Sequence, residues 1–115
     1  MTRTARGRVL RKVAHYWPDV DPKEIMSILD QYGTISSERG RARVQLAILK
    51  LSGGQRDKLP ELVRMAKRDY RDVIAYAEYP EQMQLGFVGM DKLSPHERKA
   101  IKRRDNKQYR KWLRR

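Results

Sequence analysis

Residues 44–51 read Val-Gln-Leu-Ala-Ile-Leu-Lys-Leu, six apolar positions of eight interrupted only by Gln45 and Lys50. So short a run suits a buried strand or a buried helix, because periodicity alone does not separate the two. Composition does. Leu and Ala dominate, only Val44 and Ile48 are β-branched, and Ser52-Gly53-Gly54 follows as a helix stop. A helix apolar nearly all round has to be covered by other helices. The expectation is an all-α fold, a small bundle of four to five helices around a central apolar helix at about 37–52. At 115 residues the chain has room for one such core.

The neighbouring segments supply the covering helices. In 9–17, Leu10, Val13, Ala14 and Trp17 follow i, i+3, i+4, i+7, with Arg8, Arg11, Lys12 and His15 on the other side and Pro18 closing the segment. The Arg-rich, acid-free start also suits an organelle transit peptide, though its aromatic stripe is built for packing. Asp21-Pro22-Lys23-Glu24 reads as a capping box with proline at the first helical position. Ile25, Ile28, Leu29 and Tyr32 form the stripe that follows, and Gly33 supplies the stop. Ser36 or Ser37 would cap the central helix. Its opening turns carry Arg39, Arg41 and Arg43, where the helix dipole favours acids. Those arginines either face an anion or pair with Glu38 or with acids elsewhere. A DNA-reading helix-turn-helix is disfavoured, because a recognition helix needs a free face and Val44–Leu51 leaves almost none.

From 59 to 77 the apolar register runs unbroken, predicting one long helix capped near Asp57 and ended before Pro80, with a re-cap at Asp69 as the alternative. Asp69 and Asp72 share a helix edge, yet Arg68 and Arg71 alternate with them. That is a salt-bridged face rather than an acid–base pair. The stretches Val44–Leu51 and Asp69–Pro80 resemble a group of small helical bacterial proteins of unknown function. The resemblance covers about 21–80 and implies packing positions, with no activity, cofactor or catalytic residue.

Residues 81–93 read as an apolar connector that lies over the core or else forms a sticky partner site. The Gly86-Phe87-Val88-Gly89 within it matches the G-x-x-G of KH loops but lacks their surrounding strands. Ser94-Pro95-His96-Glu97 is a second capping box with proline at the first helical position. It opens a basic C-terminal helix whose Ile101, Tyr109, Trp112 and Leu113 lie near one face, while Lys102–Gln108 has no apolar anchor and should fray alone. The expected division is therefore a helical core over 1–93 and a basic helix or tail over 94–115.

Charge placement carries the functional expectation. Five basic residues and Asp19 leave +4 over 1–20, and ten basic residues against Glu97 and Asp105 leave +8 over 94–115. The body between, with twelve basic and eleven acidic residues, is near neutral although the whole chain carries +13. Cationic ends on a balanced body suit a polyanion. The candidate contacts are Arg98, Lys102, Arg103, Arg104, Lys107, Arg110, Lys111 and Arg114, with Arg8, Arg11, Lys12 and Arg41. Tyr109 and Trp112, set among these arginines, offer stacking on unpaired bases. The expected partner is nucleic acid (RNA, the ribosome or a DNA backbone) read with weak sequence preference and strong salt dependence. The alternative is a helical adaptor whose basic tail docks an acidic protein, and a third reading places Trp112 and Leu113 in an anionic membrane surface.

No enzyme is expected. His15 and His96 have no histidine or cysteine companion at i+3 or i+4, and no phosphate-loop, dinucleotide or zinc-protease pattern occurs. No cofactor is implied. The absence of cysteine excludes disulfides and thiolate sites and fits a cytoplasmic location. No stretch has the length of a membrane span or a signal-peptide h-region.

Overall fold

The computed structural model describes residues 4–115, so Arg3 of the basic N-terminal segment lies outside the described residues. They form seven α-helices and no strand. The all-α expectation holds, with more helices than the expected four to five. The helices are α1 (Ala5–Tyr16), α2 (Pro22–Leu29), α3 (Arg41–Ser52), α4 (Leu59–Arg68), α5 (Tyr70–Glu78), α6 (Pro80–Asp91) and α7 (Pro95–Arg114), with a 3₁₀ turn at Arg56–Lys58.

The apolar run at 44–51 is helical and buried. Val44, Leu46, Ala47, Ile48 and Leu49 line α3, which is covered by α1, α4 and α5. Gly53 ends it in the left-handed conformation. Its start differs from expectation: the helix opens at Arg41, not at Ser36 or Ser37. Glu38 explains this, because its carboxylate accepts from the amides of Gly33 (2.8 Å) and Thr34 (3.0 Å) and pairs with Lys67. These bonds hold 33–38 as a closed turn, and Gly40 leaves it through positive φ (+60°) into α3.

α1 starts four residues earlier than expected, with the Thr4 side chain accepting from the Gly7 amide. Its period is right and its phase is one residue off. Val9, Lys12 and Val13 face inward, while Leu10 and Ala14 are exposed. In α2 the Asp21 cap is present, accepting from Lys23 N at 3.0 Å, but Glu24 pairs with Arg56 instead of returning to the cap.

Where one helix was expected over 59–77 there are two. Asp69, extended at φ −156° and ψ 100°, is both the last cap of α4 and the first cap of α5, accepting from the Arg71 amide. One extended residue between them leaves Val63, Ala66, Val73, Ile74 and Ala77 all on the face turned to α3. The expected connector at 81–93 is mostly α6, kinked at Gly86 (φ 68°, ψ −177°). None of its residues is buried, and Phe87 is 93% exposed.

α7 opens with the Ser94–Glu97 capping box. It does not hang as a separate tail. It packs on α5 and α6, and Trp112 joins the apolar cluster that contains Val9, Val44 and Val73. The middle of the helix, which lacks an apolar anchor, has a polar one. Asp105 is fully buried and accepts from the amides of Glu81 (2.9 Å) and Gln82 (3.1 Å) and from Gln82 Nε2 (3.0 Å). An acid on one helix thus caps the N-terminus of another, where the helix dipole welcomes negative charge.

Candidate nucleic-acid interface

At about 100° per residue, Ile101, Asp105 and Trp112 fall on one side of α7, and these are its buried residues. The opposite side is consequently Lys99, Arg103, Lys107, Arg110 and Arg114, spaced by three or four residues, all exposed. Lys111 and Lys102 flank this ladder. Lys99 was missing from the expected contacts, although helical spacing from Arg103 places it on the same line.

The two cationic ends of the chain meet at the end of α7. Arg11 donates to the carbonyls of Leu113, Arg114 and Arg115, each at 2.8 Å. Lys12, 1% exposed, donates from Nζ to the Trp112 carbonyl and, at 3.3 Å, to that of Arg115. Its ammonium also lies 4.3 Å from the centroid of the Trp112 ring. Two cations of α1 therefore satisfy the carbonyls that an α-helix leaves unbonded at its negative end. Burial pushes the Lys12 ammonium below its ordinary pKa, and the charges of Arg11 and Arg115 lower it further.

This clasp overturns part of the expected contact set. Lys12 is inside the molecule and Arg11 is committed to carbonyls, so neither is a free phosphate ligand. Arg41 pairs with Asp30 at 2.8 Å, and Arg104 with Glu81 at 3.0 Å. Asp30 also takes Arg6 and is held well below the usual carboxylate range, chiefly by Arg6 and also by Arg41 and Gln45. Arg43, the other arginine at the start of α3, forms two 2.8 Å bonds with Glu78. The arginines crowding the start of α3 are thus answered by acids of the protein itself where Arg41 and Arg43 are concerned. Trp112 is unavailable too, being 6% exposed and donating from Nε1 to the Tyr16 hydroxyl at 2.7 Å. The Tyr109 ring stacks on it, with centroids 5.7 Å apart. Burial, and secondarily Glu78, pushes the Tyr109 phenol up to about 12.

Arg8, Lys102, Arg103, Lys107, Arg110, Lys111 and Arg114 remain, exposed and without an acidic partner among the described residues; Arg98 is unpaired too but half-buried. Arg8, Arg110 and Arg114, with Leu113 and the two clasp residues, line a cleft of about 460 Å³ between α1 and α7. Arg110 and Arg114 also belong to the shallow groove that runs along the outer side of α7 past Arg103 and Lys107. The cleft and the groove form one cationic surface. Guanidinium forks held in such a row suit phosphate oxygens.

The class that fold and surface define is an all-α protein with a preassembled cationic face, in which no helix of the described residues is long and apolar enough to cross a membrane. No family model, curated protein or solved structure matches the chain.

Proposed function

We propose that this chain is a non-enzymatic, cytoplasmic nucleic-acid-binding accessory protein that grips the phosphate backbone with the outer side of α7 and with Arg8. In this reading α1–α5 are a five-helix bundle around α3 that serves as a platform for α7. One observation supports it above the rest. In the body, Arg6, Arg41, Arg43, Arg56, Arg64, Lys67, Arg68 and Arg71 each have an acidic partner, while among the described residues of α7 only Arg104 is matched, by Glu81. Like charges left crowded on a rigid helix repel, and a polyanion relieves that repulsion. Phosphate contacts carry no sequence information, so affinity should be indifferent to sequence and steeply dependent on salt. With about six cations engaged, affinity should fall about a thousandfold between about 50 and 200 mM salt. Fluorescence anisotropy with labelled mixed-sequence nucleic acid tests this. The double variant Arg103→Glu, Lys107→Glu should weaken binding and flatten the salt slope, and an absence of binding at low salt sinks the proposal.

One feature favours a second reading, the adaptor for an acidic protein. Phe87 and Val88 stand 93% and 69% exposed beyond the α6 kink, an apolar tip suited to a protein contact. A pull-down that survives nuclease and loses its partner on Phe87→Ser would favour it.

A further inference from the structure

We infer that the cationic face of α7 selects double-stranded over single-stranded nucleic acid; this rests on the function proposed above. The first ground is shape. α7 is one helix of 20 residues, about 30 Å long, and the ladder from Lys99 to Arg114 covers about 22 Å of it. The helix is fixed to the body at Ile101, Asp105 and Trp112, and at its end by Arg11 and Lys12. A row of cations carried on one packed helix fits a stiff rod. A duplex carries about thirteen phosphates over about 22 Å of axis, at about 1.7 Å per charge with both strands counted, and those on its near side are already ordered. A single strand brings fewer charges over the same length and loses conformational freedom when straightened against the helix.

The second ground is the placement of aromatic rings. Proteins that hold single strands interleave cations with open aromatic faces on which bases stack. On α7, Tyr109 and Trp112 lie on the inner side, stacked on each other, with Trp112 bonded to Tyr16. The outer ladder has no Phe, Tyr or Trp. A nearby groove does hold Tyr79 and Tyr109, but Tyr109 is half-buried with its ring stacked on Trp112, and Lys102 is the one cation among that groove's lining residues.

The third ground is depth. The inner half of α7 is embedded, so the helix cannot sink into a major groove only about as wide as itself. Its cations therefore reach phosphates at the groove rims and leave base edges unread.

The test compares a labelled duplex of about 20 base pairs, twice the length the helix covers, with each of its separated strands at one low salt concentration. The duplex should bind at least about tenfold tighter than either strand. Lys107→Glu with Arg110→Glu should remove that advantage, with circular dichroism showing the fold retained. Tyr79→Ala should leave both affinities unchanged. Strands that bind as tightly as the duplex, or a Tyr79→Ala variant that loses strand binding, overturn the selectivity and leave the proposed function standing. Failure of all three probes to bind overturns both.

Discussion

Asp105 allows the sharpest test of how α7 is held. Its two oxygens accept from the Glu81 and Gln82 amides and from the Gln82 carboxamide in a fully buried position. In Asp105→Ala the carboxamide of Gln82, on a half-buried residue, can turn to water, but the two amides stay trapped. Hydrogen bonds to a charged acceptor contribute about 1.5–3 kcal/mol each. Two of them, less about 1 kcal/mol recovered by no longer burying a carboxylate, give a net loss of about 3 kcal/mol. That is a large part of the stability of a domain this size, about 6–17 kcal/mol. Asp105→Asn retains one acceptor oxygen but sets an NH₂ against the second amide and removes the charge from the α6 dipole, for about 2 kcal/mol. Urea unfolding followed by far-ultraviolet circular dichroism measures both, with the m-value unchanged if the native core persists. Hydrogen exchange at Glu81 and Gln82 should accelerate more than elsewhere in α6. A loss below about 1 kcal/mol for Asp105→Ala would refute the idea that this carboxylate holds α7 against α6.

Three further outcomes are expected. The Glu38 carboxyl is drawn down to about 2, first by Lys67 and then by the Gly33 and Thr34 amides, and Asp30 lies well below its usual range. Both are depressed on folding, so their contribution is complete above about pH 5 and disappears as pH falls toward 2. Acid titration of the urea midpoint should show this decline, and Glu38→Gln should flatten it; an unchanged acid limb speaks against the Glu38 turn. Tyr16→Phe removes the acceptor of the buried Trp112 Nε1–H and should cost about 1 kcal/mol in urea unfolding, with a shift in tryptophan emission. Phe87→Ser should leave stability within about 0.5 kcal/mol of the parent, and a larger loss would mean that the α6 tip is packed rather than free.

Elements governed by local chemistry were legible in the sequence. The buried α3, the Asp21 and Ser94 caps and the Gly53 stop follow from short-range patterns, and the structure has them. The misreadings come from distant partners. Apolar periodicity counts Lys12 as a surface residue, yet its stem packs inward because carbonyls a hundred residues away await its ammonium. Asp105 sits in a run with no apolar anchor and is itself the anchor, which only the approach of α6 reveals. At Asp69 the apolar register passes through a break, since one extended residue barely disturbs it. For the surface, charge counting located the cationic ends, but it could not show which cations are matched. Arg41 and Arg104 differ from Arg103 and Lys107 only in what faces them.

The junction of Arg11 and Lys12 with the last carbonyls bears on how the molecule forms. Contacts between residues a hundred positions apart are the slowest to be found by a diffusing chain, since so long a loop must close first. α1 can dock on α3 through Val9 and Val13 beforehand, but Arg11 and Lys12 stay unclaimed until α7 is in place. Loss of the last turn of α7 would leave Arg11 and Lys12 without their acceptors, so limited proteolysis near Arg114 should loosen α1 before it disturbs α3.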